Sequence, residues 1–147
     1  MAQLINEQIQ QQIKDLFKQL KEPVLILFFG AKKGCAHCEE TRQLVEEISN
    51  LSEKIEISLH DIVDDEGTAK QFNIDKTPGL VIAAKDDEQV IDYGVRFAGI
   101  PSGHEFNSLI NDIIIVSNRD SGLSEQSRDF LKKLKEPVHL QVFVTPT

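Results

Sequence analysis

The chain has 147 residues, 40% of them hydrophobic and 27% charged, which suits one domain with a sizeable core and leaves little for a second complete one. A net charge of -8 and a pI near 5.0, with the 16 Lys and Arg scattered, exclude a large phosphate-binding surface, so an acidic solvated surface and no nucleic-acid partner are expected. The start, Met1-Ala2-Gln3-Leu4-Ile5-Asn6-Glu7-Gln8, has neither a basic n-region nor a long apolar run, so the expectation is no secretion signal, no membrane span and a cytoplasmic location.

Ile9, Ile13, Leu16, Phe17 and Leu20 recur at helical spacing and predict an amphipathic first helix ending before Pro23. Val24 to Phe29 is an unbroken apolar run, too short for a helix and too uniform for a strand with one wet face, and so reads as a central buried strand. A loop from Gly30 to Gly34 follows. Thr41, Leu44, Val45, Ile48 and Leu51 then mark a second helix beginning near Cys35. Ile55, Ile57 and Leu59 alternate with Glu56, Ser58 and His60, as in a strand with one covered face, and a short helix is predicted over Thr68 to Phe72.

Pro78 stands at the head of the next apolar strand, where its missing N–H breaks no ladder. Asp86-Asp87-Glu88 is a polar turn, and Gln89 to Tyr93 a returning strand, which together make a hairpin. Ser102-Gly103-His104-Glu105 has the capping-box pattern, opening a helix lined by Phe106, Leu109, Ile110, Ile113 and Ile114. Strands joined through helices are parallel with a right-handed crossover, and a hairpin adds an antiparallel pair. The expected fold is therefore α/β, a four-stranded mixed sheet with helices on both faces.

Residues 118 to 124 read as a linker, after which Ser124 can cap a helix carrying Phe130, Leu131 and Leu134. Asp15 to Val24 then matches Asp129 to Val138 at a constant offset of 114, with Leu-Lys-Glu-Pro-Val identical in both copies. Shared Leu and Lys follow from two amphipathic helices, but an identity that continues through a proline into a strand points to duplication. The chain then divides into a unit over 1–117 and, over 118–147, a linker, helix and first strand (Val138 to Val144) of an incomplete second unit. The counterpart of Cys35 would fall at position 149, beyond Thr147. Three readings of that ending stand side by side: a deliberately shortened piece, a natural truncation, or a gene in which the next codon is a stop read as selenocysteine. A hydrophobic strand without its sheet is expected to dock on the first unit's sheet edge or to pair with another chain, as in a homodimer through Val138–Val144.

Both cysteines lie in the stretch from Gly30 to Arg42. A thiolate at a helix N-terminus meets the positive end of the macrodipole and unpaired N–H groups, with Lys32 and Lys33 adding positive charge and His37 doing so when protonated. Cys35 is the expected low-pKa nucleophile and Cys38, deeper in the helix, the thiol that resolves the mixed disulfide. One Cys-x-x-Cys supplies only two of the four ligands of a structural zinc, and none of His37, His60, His104 and His139 makes an obvious pair to complete it, so no metal and no cofactor are assigned. The clusters Asp64-Asp65-Glu66 and Asp86-Asp87-Glu88 read as solvated turns, and His104 as a packing or helix-end residue.

Cys35-Ala36-His37-Cys38 after a buried strand, with Thr77-Pro78 heading a later one, resembles the thioredoxin fold and its glutaredoxin branch. The stretch Gly94-Val95-Arg96-Phe97-Ala98-Gly99-Ile100-Pro101-Ser102-Gly103-His104-Glu105-Phe106 is similar to that of the glutaredoxin-like protein disulfide oxidoreductases, built from two tandem thioredoxin-fold units, and of the related N-terminal domain of the flavoprotein alkyl hydroperoxide reductase. The resemblance implies a cis Pro78 facing the cysteine pair, a Thr77 backbone that pairs with the substrate chain, protein disulfide substrates and a thioredoxin-reductase-like electron donor. Ala36 and His37 depart from the glutaredoxin Cys-Pro-Tyr-Cys pattern toward that of isomerases and oxidants. The function expected is dithiol–disulfide exchange; the alternative is a non-catalytic docking or electron-relay module whose partner supplies the turnover.

Overall fold

The apolar run after Pro23 forms β1 (Val24–Gly30), and all seven of its residues are buried in the computed structural model, which describes residues 2–145. A strand buries both faces only with neighbours at its sides and layers above and below. β1 pairs in parallel with β2 (Ile55–Asp61) and antiparallel with β3 (Gly79–Asp86), and β3 pairs antiparallel with β4 (Gln89–Ala98), giving the order β2-β1-β3-β4. The helices are α1 (Glu7–Phe17), α2 (Cys38–Ser49), α3 (Glu66–Gln71), α4 (His104–Asn118) and α5 (Glu125–Lys132).

Alternation along β1 divides the core. Val24, Ile26 and Phe28 face a large cluster with Ile13 and Phe17 of α1, Leu44, Val45 and Ile48 of α2, and Leu109, Ile110 and Ile113 of α4. Leu25, Leu27 and Phe29 face a smaller one with Ala69 of α3 and Phe72. The expected mixed sheet with helices on both faces is thus found, three helices on one face and one on the other.

Several local expectations differ. In α1 the covered line is Ile13 and Phe17, continued by Leu20 and preceded by Ile5, whereas Ile9 and Leu16 are exposed. In β2 Leu59 keeps its place in the alternation but is exposed at the open edge of the sheet, while His60, on the opposite face, stacks on Phe29 with ring centroids 5.0 Å apart. β4 runs past Tyr93 to Ala98, because Gly94, at φ 86, bends the strand without ending it and an irregularity between Ile82 and Ala84 resets the register. The residue preceding α4 is Gly103, at φ 60, and Ser102 makes no side-chain cap, so the capping-box pattern is not used.

The far end of α4 is held by long-range polar contacts. The Ser117 hydroxyl, fully buried, accepts the N–H groups of Lys21 and Glu22 at 3.0 and 3.2 Å and donates to the Glu22 carbonyl at 2.6 Å. The Arg119 guanidinium reaches the carbonyls of Pro23 and Lys85 and the Asp86 carboxylate at 3.2, 3.1 and 2.8 Å. The helix end is thereby tied both to the turn before β1 and to the β3–β4 hairpin.

Beyond it, Ser124 caps α5 as expected, its hydroxyl accepting the Ser127 N–H, but α5 buries none of its residues. Residues 137–145 have no regular secondary structure, and Leu140, Val142, Phe143 and Val144 are each more than four-fifths exposed. The expected docking on the chain's own sheet edge is not found. The physical contrast is direct: Phe29 sits between two strands and under α3, whereas Phe143, at the same place in the repeat, has neither strand nor helix against it. Pro146 and Thr147, part of the Thr-Pro-Thr ending, lie outside the described residues.

Candidate functional site at the end of the central strand

β1 ends at Gly30, and because the next strand, β2, runs parallel to it, the chain must leave the sheet and cross over through α2. A short loop carries it to α2. The helix starts at Cys38, three residues later than expected, with His37 as the residue before it. Cys35 therefore stands in the loop, ahead of the first-turn N–H groups, and Cys38 is the first helical residue. The two form a disulfide with Cα atoms 5.5 Å apart, an S–S length of 1.94 Å and a dihedral of 87°.

Three contacts shape this turn. Thr41, fully buried, donates both its N–H and its hydroxyl to the His37 carbonyl, at 3.0 and 2.7 Å. Glu39 and Glu40 occupy the first turn, where negative charge suits the positive end of the helix dipole. Gly30 makes room: a Cβ there would stand 2.8 Å from the Phe28 ring and 3.5 Å from the Cys38 sulfur. Phe28, Gly30, Cys38, Arg42, Leu59 and Asp61 line a shallow groove on the β2 side of the loop. Both cysteines are half-buried, so exposure does not rank them. Position does, since Cys38 packs against the large core cluster and Cys35 does not.

The charges near the pair are not arranged as the sequence suggested. The Lys32 ammonium is paired with the Asp64 carboxylate, whose hydrogen bond raises the lysine pKa. Lys33 is exposed. The His37 ring faces Glu40, with Nδ1 3.1 Å from the carboxylate. Of the three groups expected to tune Cys35, two are thus engaged by carboxylates.

Thr77 and Pro78 precede β3, and the peptide bond between them is cis. The next residue, Gly79, pairs with Phe29 on one side and Ala98 on the other, and the Pro78 carbonyl accepts the Gly99 N–H at 2.8 Å. This register brings Pro78 to the same end of the sheet from which the Cys35 loop departs. His104 is the exposed first residue of α4.

One contact was missed from sequence. Asp61 has its carboxylate 3.0 Å from the Lys32 amide nitrogen and accepts the N–H groups of Val63 and Asp64 as well. Lys32 and Asp61 are 29 residues apart, and only strand pairing brings them together.

The sequence was compared with known proteins. The thioredoxin domain family matches residues 26–111. The alkyl hydroperoxide reductase component AhpF of Staphylococcus aureus is 28% identical over 144 residues, or 98% of this chain and 25% of that protein. The same protein of Staphylococcus epidermidis matches to the same extent. This chain therefore spans about a quarter of the length of the curated relatives it matches. Among solved structures, the alkylhydroperoxide reductase component AhpF of Enterococcus faecalis, a C503A mutant, superposes with a TM-score of 0.77 at 26% identity, covering 88% of this chain and 60% of that one. A protein disulfide oxidoreductase from Aeropyrum pernix gives 0.76 at 24% identity, covering 89% and 56%, and supports the fold.

Among the described residues no helix is long and apolar enough to cross a membrane. With its β2-β1-β3-β4 sheet, its disulfide-forming Cys35–Cys38 pair at the head of α2 and the family match across the sheet, this chain belongs to the thioredoxin domain family, an oxidoreductase fold.

Proposed function

We propose that the chain is a dithiol–disulfide oxidoreductase acting on protein disulfides, a reading carried by the Cys35–Cys38 disulfide at the N-terminus of α2. In the reducing direction the Cys35 thiolate attacks one sulfur of a substrate disulfide, forming a mixed disulfide and expelling the other sulfur as a thiolate. The Cys38 thiolate then attacks Cys35 Sγ, closing the protein disulfide and releasing the second substrate thiolate. Two electrons pass to the substrate, and each released thiolate takes a proton from solvent. Thr77 and Pro78 shape the substrate groove, and a thioredoxin-reductase-like donor returns the electrons. The cytoplasm is the proposed location, a reducing compartment in which a close cysteine pair can cycle between dithiol and disulfide.

The expected result is that the reduced chain cleaves an insulin-like disulfide with turnover. If His37 favours the reduced thiolate, the pair is also more oxidising than thioredoxin, which lies at about -270 mV. A potential at or below that value would remove His37 from the tuning role. The match to one component of a reductase favours a second reading, an electron-relay module, and tight partner binding without any turnover on a free protein disulfide would select it.

The unit boundary near residue 117 and the beginning of a second unit at 118–147 belong to the same proposal, supported by the repeat. So does a homodimer through Val138–Val144. The exposed side chains of Val138, Leu140, Val142 and Val144 alternate as in a strand, Lys132, Lys133 and Lys135 precede them, and the body of a second copy is acidic and has open sheet edges at β2 and β4. Sedimentation of the full chain at tens of micromolar is expected to show a dimer that Leu140→Asp/Val142→Asp dissociates. A monomer in both would exclude it.

A further inference from the structure

We propose that Asp61 is a positioning residue for the Cys35 loop, an inference that rests on the exchange reaction proposed above. Loop residues 31–37 have no place in the sheet and no regular helix, so their geometry depends on what grips them from outside. The Asp61 carboxylate does so with one oxygen and holds its own turn with the other. Oδ2 accepts the Lys32 N–H at 3.0 Å, while Oδ1 accepts the N–H groups of Val63 and Asp64 at 2.9 and 3.2 Å. One side chain thus joins the loop that bears the nucleophile to the turn between β2 and α3.

The clamp is itself held. Asp61 pairs with Gly30 in the β1–β2 register, and the Ile62 N–H donates to the Gly30 carbonyl at 2.9 Å. The Asp61 N–H is bound by the Asp65 carboxylate at 2.8 Å, and the Lys32 ammonium by Asp64. The N–H groups of Val63 and Asp64, with Lys32 adding to them, hold the Asp61 carboxyl below the usual carboxylate range, so it stays ionised wherever a thiolate can react. Attack on a disulfide requires the incoming sulfur in line with the bond that breaks. A small displacement of the attacking atom is enough to slow such a step by as much as about a hundredfold. Lys32 is three residues before Cys35, and freeing its amide frees the path of the loop.

The test compares wild type, Asp61→Ala and Asp61→Asn in insulin-disulfide turnover, in the pH profile of Cys35 alkylation and in hydrogen exchange of the Lys32 amide. Asp61→Ala is expected to lower kcat about ten- to a hundredfold with little change in KM, to move the alkylation midpoint and to expose the Lys32 amide. Asp61→Asn, which keeps one acceptor, is expected to recover part of the rate. Turnover within twofold of wild type and an unmoved alkylation midpoint in Asp61→Ala overturn the inference. Should that variant fail to fold, a wild-type rate and midpoint in Asp61→Asn with an exposed Lys32 amide overturn it equally. A wild type that does not exchange disulfides at all refutes the proposed function instead.

Discussion

Replacing Cys35 with serine is expected to abolish disulfide turnover, a loss on the order of a thousandfold or more, because no covalent intermediate can then form. Cys38→Ser is expected to behave differently. Cys35 still attacks, the mixed disulfide forms, and no second thiolate arrives to break it. Mass spectrometry should then find Cys38→Ser carrying one substrate equivalent through Cys35, and Cys35→Ser carrying none. The reverse pattern would exchange the two roles. The structural ground for the assignment is that Cys35 precedes the helix whereas Cys38 begins it and packs against the core. Neither substitution removes a large apolar group, so both variants should retain wild-type stability when compared with the reduced protein.

Phe29→Ala should cost about 3–5 kcal/mol, the usual range for emptying a buried aromatic site, against a total of about 5–15 kcal/mol for a domain of ordinary stability. Phe29 is fully buried, covered by α3-side residues and by the His60 ring, so the cavity has little freedom to collapse. Phe143→Ala is the internal control. It is the same substitution at the matching position of the repeat, yet Phe143 is 88% exposed in the single chain, and in dilute, monomeric protein its loss should change stability by no more than about 0.5 kcal/mol. Urea titration of the two variants gives the comparison, read as midpoint shifts with unchanged slope. A large effect at Phe143 would mean that the 138–144 segment is covered in solution, as in the proposed dimer.

Much of this architecture was legible in the residues, and the exceptions have a common cause. β1 was plain because six apolar residues between Pro23 and Gly30 are too few for a helix and too uniform for a strand with a wet face. The Cys-x-x-Cys following it, the hairpin and the Ser124 cap were equally local signals. What failed depended on neighbours distant in sequence. Leu59 alternates correctly but lies on an edge that nothing covers at that point, whereas His60, placed beside Phe29 by the β1–β2 register, is the better covered of the two. Ser102 has the capping pattern, yet Gly103 takes the capping position with a backbone turn instead. At the site, charge could be counted from sequence but not its pairing. Lys32 looked free until the strand register brought Asp61 and Asp64 beside it.

The grip of Ser117 and Arg119 on the residues just before β1 bears on how the unit is made. These contacts span 95 and 96 residues, so the Lys21 and Glu22 N–H groups and the Glu22 carbonyl wait for the last turn of α4, whereas the Val24 N–H and the Pro23 carbonyl already have partners in Lys54 and Lys85. Contacts of such separation are slow to form, since a long loop must close first. During synthesis the turn before β1 therefore stays unlatched until about Arg119 has cleared the ribosome. The apolar run of β1 has its partners β2 and β3 before that point, so what the last turn of α4 adds is the latch on the strand's entry.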